Sequence, residues 1–313
     1  MKATAVIFNE PEQLSLRSLD LTPPAATDAV VEIAWSGVST GTERLLWSGR
    51  MPPFPGMGYP LVPGYESVGR VAQAPNNSNF KVGQTVFVPG ARCYGDVRGL
   101  FGASASRVVV PAQKVVPIDD ALGERGILLA LAATAYHALT APGAAKPERI
   151  VGHGVLGRLL ARLTVATGGE APIVWERNRK RVDGAVGYAV LDPADDPIRN
   201  CRVIYDVSGD PQLLDALIAR LAPGGEIVLA GFYSEPLSFS FPPAFMREVR
   251  IRVAAEWQHS DLLAVRDLVK MGRLSLDGLI THREPATHAA AAYGTAFYDP
   301  TCLKMILDWR NCS

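Results

Sequence analysis

Between residues 149 and 157 the chain reads Arg149-Ile150-Val151-Gly152-His153-Gly154-Val155-Leu156-Gly157: a short apolar run enters a G-x-G-x-x-G loop, and an apolar helical pattern leaves it. No other stretch restricts the fold as much, because each glycine meets a separate backbone demand. Gly152 allows the tight turn, Gly154 lets the main chain approach a pyrophosphate, and Gly157 lets the helix pack close to the strand. Free N–H groups at the helix start, around Val155 and Leu156, then face the anion, with His153 inside the same loop. A second apolar run, 172–175, ends in Glu176, about 20 residues past the loop, where a carboxylate accepts hydrogen bonds from adenosine ribose hydroxyls. Arg177, Ser208 and Gly231, at the ends of this and later apolar runs, complete the candidate cofactor-binding set.

Around this loop the pattern changes twice. Residues 1–120 carry short β-rich runs broken by Gly and Pro (3–8, 29–36, 66–72, 84–88, 105–110, 115–117), which predicts a small barrel-like unit with long surface loops. From 124 to 140 a small-residue helix is expected. Then strands at 150–152, 173–176, 187–191, 203–207 and 226–231 alternate with helices at 155–167 and 212–221, which implies a parallel, doubly wound sheet. A polar helix over 261–271 opens a closing segment. The domain expectation is 1–120, 121–256 and 257–313.

Composition narrows the function. Formal net charge is zero, with 31 basic and 31 acidic side chains and no basic block, so no nucleic-acid partner is expected. No apolar stretch is long enough to cross a bilayer and residues 1–10 read as a first strand, so the expected location is cytoplasmic. The four cysteines, Cys93, Cys201, Cys302 and Cys312, lack the spacing of a disulfide framework or thiolate metal site.

Several strings resemble the medium-chain dehydrogenase/reductase superfamily over nearly the whole chain. They are Gly37-Val38-Ser39-Thr40-Gly41-Thr42-Glu43, Pro63-Gly64-Tyr65-Glu66-Ser67-Val68-Gly69, the glycine loop, and Leu279-Ile280-Thr281-His282 with Ala292-Tyr293. The resemblance implies an α/β protein: a GroES-like β-rich catalytic domain, a Rossmann cofactor domain, and a tail returning to the first. Zinc-dependent members place ligands where this chain has Ser39 or Thr40, Tyr65, and a residue near Ala130. Hydroxyls and a methyl group cannot hold Zn²⁺, so no metal is expected.

The uninterrupted 39–66 segment is similar to a tetrapyrrole-oxidising branch of the superfamily. That implies a bacteriochlorophyllide-type substrate whose hydroxyethyl group becomes acetyl, with NAD taking the hydride. Trp47, Arg50, Met51, Phe54, Met57 and Tyr59 are then a candidate apolar substrate wall, or an apolar loop packed on its own domain. With zinc gone, a protein group or water must take the alcohol proton, and Thr42, Tyr65, Glu66, Glu43, Ser39 and Thr40 are the candidates. His153 is expected on the diphosphate, His137 as a packing residue, and Arg44, Arg50, Arg92 and Arg98 as weak candidates for a substrate carboxylate.

Glu176 favours NAD over NADP, although Arg177 and Arg179 could embrace a 2′-phosphate. Homodimerisation and peripheral membrane contact stay open. The rival readings are a zinc-free NADPH quinone or enone reductase and a non-catalytic nicotinamide-binding protein.

Overall fold

The computed structural model describes residues 1–76 and 78–312. Its contacts divide the chain into two units, Met1–Ala130 with Asp277–Ser313, and Leu131–Leu276. Both divisions fall later than the sequence expectation, for packing reasons. The stretch Asp120–Leu128 is a 3-10 helix, kinked at Gly123, rather than the start of one long α-helix; the α-helix begins at Leu129 and runs to Thr140. A Cβ on Gly126 would stand 2.6 Å from Ile118 and 2.8 Å from Val68, so this stretch is pressed onto the β unit. The helix His259–Lys270 stays with the second unit, where Asp261 pairs with His137 at 2.9 Å and Arg162 Nη1 donates to the Ser275 carbonyl.

The first unit holds two sheets. Its seven-stranded sheet runs His282–Pro285, Met305–Asp308, Asp28–Val38, Ser67–Gln73, Thr85–Val88, Val116–Pro117, with Arg107–Pro111 also paired to Asp28–Val38. The four-stranded sheet runs Gln13–Asp20, Lys2–Glu10, Leu61–Val62, Arg98–Gly99. Lys2–Glu10 is buried on both faces, and Ala3, Ala5, Val6, Ile7 and Phe8 join a core shared with Val31, Val86, Tyr293 and Leu307. The strand Gln13–Asp20 was absent from the sequence expectation, since five of its eight residues are polar or charged and its pairing with Lys2–Glu10 supplies what its own apolar content does not.

The second unit is a six-stranded parallel sheet, in the order Ala189–Leu191, Ile173–Trp175, Arg149–Val151, Cys201–Asp206, Leu221–Leu229, Arg250–Val253. In chain order this is 3-2-1-4-5-6, the doubly wound arrangement with its switch point between Arg149–Val151 and Cys201–Asp206. The helix expected over 212–221 is only Leu214–Ile218, because Leu221 is drawn into the sheet opposite Cys201. Among the described residues no helix is long and apolar enough to cross a membrane.

The last strand, Met305–Asp308, is integral to the first unit's core. Leu307 is fully buried there, so Leu307→Ala is expected to cost about 2–5 kcal/mol in urea unfolding; a loss well under this range would show that the tail packs only loosely on its sheet.

Candidate active site

In the first unit, two chain reversals lie side by side because their strands pair. Ser36 faces Ser67 in the antiparallel pairing of Asp28–Val38 with Ser67–Gln73, and the Gly37 N–H donates to the Glu66 carbonyl at 2.7 Å. This register brings Ser39, just past one strand, against Tyr65, just before the other. Ser39 Oγ and the Tyr65 hydroxyl share a 2.8 Å hydrogen bond, and the Thr42 side chain lies near enough to the Tyr65 phenol to pull its pKa down against burial. Three neutral hydroxyls thus lie together. Burial, with the nearby Glu66 adding to it, pushes the Tyr65 phenol well above its usual range, so it works as a neutral donor and acceptor.

Two buried carboxyls stand behind them. Glu43, on the helix Thr42–Trp47, accepts the Ser39 N–H on Oε1 at 3.1 Å and the Tyr293 hydroxyl on Oε2 at 2.6 Å. Glu66 Oε2 is held at 2.6 Å by the Lys304 ammonium, which also donates to the Val38 carbonyl at 3.2 Å. Burial raises the Glu43 carboxyl to about 8, against the pull of Tyr293 and Ser39. Lys304 and Tyr293 were not among the sequence candidates for the site. The one available signal was a lone lysine in the apolar run Cys302-Leu303-Lys304-Met305-Ile306-Leu307.

The donor set does not suit zinc. Ser39 and Tyr65, two of the expected ligand positions, are bonded to each other, and neither a serine hydroxyl nor a phenol of raised pKa offers the thiolate or imidazole that zinc takes. Among the described residues no group of three His, Cys, Asp or Glu side chains could hold a metal.

The glycine loop of the second unit fits a diphosphate. Gly152 turns at φ +102°, and a Cβ on Gly157 would lie 1.9 Å from the Gly152 carbonyl oxygen, which fixes the close contact of helix and strand. A Cβ on Gly154 would meet nothing within 4 Å, so the mouth of the helix Val155–Ala166 is open, and no side chain caps its first N–H groups. Gly231 and Ser208 flank this mouth through Val207, whose backbone lies 3.2 Å from a Gly231 Cβ and 3.6 Å from a Gly152 Cβ. Glu176 accepts the His153 N–H at 3.0 Å and the Asn178 N–H at 2.8 Å, which fixes its carboxylate at the strand end; Arg177 is exposed beside it.

The His153 ring does not fit the expected diphosphate contact. Its Nδ1 meets the Arg181 carbonyl at 2.6 Å and its Nε2 the Tyr188 hydroxyl at 2.8 Å, so both ring nitrogens are engaged with the 181–188 segment. Burial lowers its pKa to about 4 and keeps it neutral. His137 is engaged by Asp261.

The 47–60 segment divides. Met51 is buried, and Trp47, Phe54, Met57 and Tyr59 pack partly against the unit's own core, with the Tyr59 hydroxyl bonded to the Leu46 carbonyl. Trp47 and Arg50 also line a cleft of about 220 Å³ with Glu12, Arg44, Ser48, Phe297 and Tyr298. Thr40 is half-buried beside the hydroxyl group.

Two outcomes follow from this geometry. Gly157→Ala must push the helix off the Gly152 carbonyl and is expected to weaken NAD binding at least tenfold by fluorescence titration; unchanged affinity would rule out the loop as the cradle. Glu43 has a folded pKa above its unfolded value of 4.5. Its proton-linked stabilisation is therefore complete below about pH 4.5 and is lost as the pH rises to about 8. Urea unfolding of wild type and Glu43→Gln at about pH 5 and pH 9 should show the difference moving in the variant's favour at the higher pH.

Residues 25–120 match the family model described as the alcohol dehydrogenase GroES-like domain. Over 99% of both chains, the protein is 59% identical to a 2-desacetyl-2-hydroxyethyl bacteriochlorophyllide A dehydrogenase from Cereibacter sphaeroides, and equally so to one from Rhodobacter capsulatus. Similar solved structures include an alcohol dehydrogenase from E. coli CFT073 complexed with NADH, with a TM-score of 0.84 at 20% identity, covering 98% of this chain and 99% of that one. Another is a dehydrogenase from Sinorhizobium meliloti bound to NADP, with a TM-score of 0.81 at 20% identity and the same coverage. With full-length identity at this level on a GroES-like unit and a 3-2-1-4-5-6 nucleotide sheet, the chain belongs to the bacteriochlorophyllide A dehydrogenase family of the medium-chain dehydrogenases.

Proposed function

We propose that the protein oxidises the hydroxyethyl side chain of a bacteriochlorophyllide to an acetyl group with NAD⁺ as acceptor, and that a group of hydroxyls handles the proton where related enzymes use zinc. The names of the 59% identical relatives support the substrate: a hydroxyethyl stands in place of an acetyl, and removing two hydrogens from CH(OH)CH₃ restores it. The observation that carries the mechanism is the Ser39–Tyr65 hydroxyl pair at two of the expected zinc-ligand positions, with the Thr42 hydroxyl beside it.

Gly152, Gly154, Gly157 and Glu176 would hold the nicotinamide cofactor, which would supply the acceptor for the hydride of the carbinol carbon. The chain must then orient the alcohol and take its proton. Thr42, at the start of its helix, is the member offered to the carbinol oxygen; Tyr65 and Ser39 continue the hydrogen bonding behind it. Because each hydroxyl can accept one proton while donating another, the group relays the alcohol proton outward to solvent water, the final acceptor, without holding a charge in a buried place. Glu43 and Glu66 are each committed to a partner and serve the group from behind.

The fixed Glu176 carboxylate supports NAD over NADP, since a 2′-phosphate there would meet a negative charge. A second copy is the partner that fits the exposed edge strand Arg250–Val253, beside Phe241, Phe245 and Met246, because an uncovered sheet edge with apolar neighbours favours pairing.

The test is an anaerobic assay with 3-(1-hydroxyethyl) bacteriochlorophyllide a and NAD⁺ or NADP⁺, following the macrocycle absorption and nicotinamide reduction together. Turnover with NAD⁺ that survives a zinc chelator is expected, and Tyr65→Phe and Thr42→Val should each lower kcat by about 10²–10⁴. Chelator-sensitive turnover, or wild-type rates in both variants, would overturn the hydroxyl mechanism.

A further inference from the structure

The loops that carry the hydroxyls share a pattern. Thr42 is followed in the chain by Glu43, and Tyr65 by Glu66; both carboxyls are fully buried, and each is held by a different side chain of the returning segment. Tyr293, on the helix Ala289–Tyr298, holds Glu43. Lys304, just before the strand Met305–Asp308, holds Glu66. Neither tail residue is bonded to a hydroxyl of the Ser39–Tyr65–Thr42 group.

The two contacts are tightly specified. The Tyr293 ring stands edge-on to Phe8 and Phe297, at centroid distances of 5.4 and 5.6 Å, so packing aims its hydroxyl at Glu43. Met305 pairs with Val38, which sets Lys304 at the point where the strand Asp28–Val38 hands over to Ser39, and its ammonium takes the Val38 carbonyl as well as Glu66. A Cβ on Gly37 would lie 2.3 Å from Glu66 Oε2, so the carboxylate lies against the strand in the space that this glycine leaves. The groups around Glu43 are Tyr293, Glu66 and Lys304, and Lys304 is the one cation among them.

We infer that Tyr293 and Lys304 are positioning residues of the oxidation. Acting through Glu43 and Glu66, they set the Thr42 and Tyr65 hydroxyls and Ser39 in register with one another. This rests on the function proposed above. Ser39 is gripped from both sides: its own N–H by Glu43, and the preceding carbonyl by Lys304. A loss of either grip leaves the hydroxyls present but misaligned, and a misplacement of the order of 1 Å costs up to about a hundredfold in rate.

The test is a double-mutant cycle on the full-length enzyme. Tyr293→Phe keeps the ring packing and removes only the hydroxyl; Lys304→Met removes the cation, and Lys304→Arg keeps it. Tyr293→Phe and Lys304→Met are each expected to lower kcat about tenfold while leaving NAD⁺ affinity, read by fluorescence, unchanged. Lys304→Arg should restore most of the rate. In a Tyr65→Phe background both losses should vanish, because the group they position is already broken. Full additional losses in that background, or a wild-type kcat for Tyr293→Phe, would overturn the positioning role. Wild-type turnover of the chlorin, measured alongside, tests the proposed function separately: its absence counts against that function, whereas independent losses with turnover present count against the positioning role alone.

Discussion

The antiparallel pairing of Met305–Asp308 with the end of Asp28–Val38 is the contact on which the catalytic unit depends, since it joins residues more than 260 positions apart and places Lys304 behind Val38. Without that strand the Glu66 carboxylate would stand buried and uncompensated, a state that costs several kcal/mol. With it, the carboxylate is paired, the strand end is fixed, and Ser39 meets Tyr65. The sheet and the site are therefore the same piece of construction, and the tail is as much a part of the site as the loops that carry the hydroxyls.

The charge arrangement follows the same logic. Lys304 and Glu66 cancel, and burial raises Glu43 to about 8, which favours the neutral form of the second carboxyl. A low-dielectric pocket tolerates three neutral hydroxyls, one ion pair and one neutral acid; it would not tolerate two free carboxylates. Zinc chemistry solves the problem of the alcohol proton with a strong local charge. In the proposed mechanism the solution is a set of neutral groups held in fixed relation, which makes positioning rather than charge the quantity to protect.

The second unit works on shorter range. Gly152, Gly154 and Gly157 act through the backbone of one strand–loop–helix passage, and their steric demands were legible because crowding at a glycine there does not depend on distant packing. The glutamate at the end of the next strand was legible for the same reason. His153 was not: its place in the loop suggested the ligand, whereas its ring is taken up by Arg181 and Tyr188, partners about thirty residues away. The 47–60 segment shows the same limit, since an apolar loop reads alike whether it faces a substrate or packs on its own core, as Met51 does.

The sequence by itself determined the two kinds of unit, the parallel strand–helix alternation, the glycine-lined strand–loop–helix turn, and hydroxyl side chains at positions 39, 42 and 65, because these depend on local periodicity, glycine sterics and residue chemistry. The tertiary structure decided which hydroxyls touch, which carboxyl burial raises and which is paired with a cation, and that Tyr293 and Lys304 reach the two carboxyls. Those outcomes arise from strand register and burial, which bring together segments near residues 40, 65 and 300, and neither is written in any one of them.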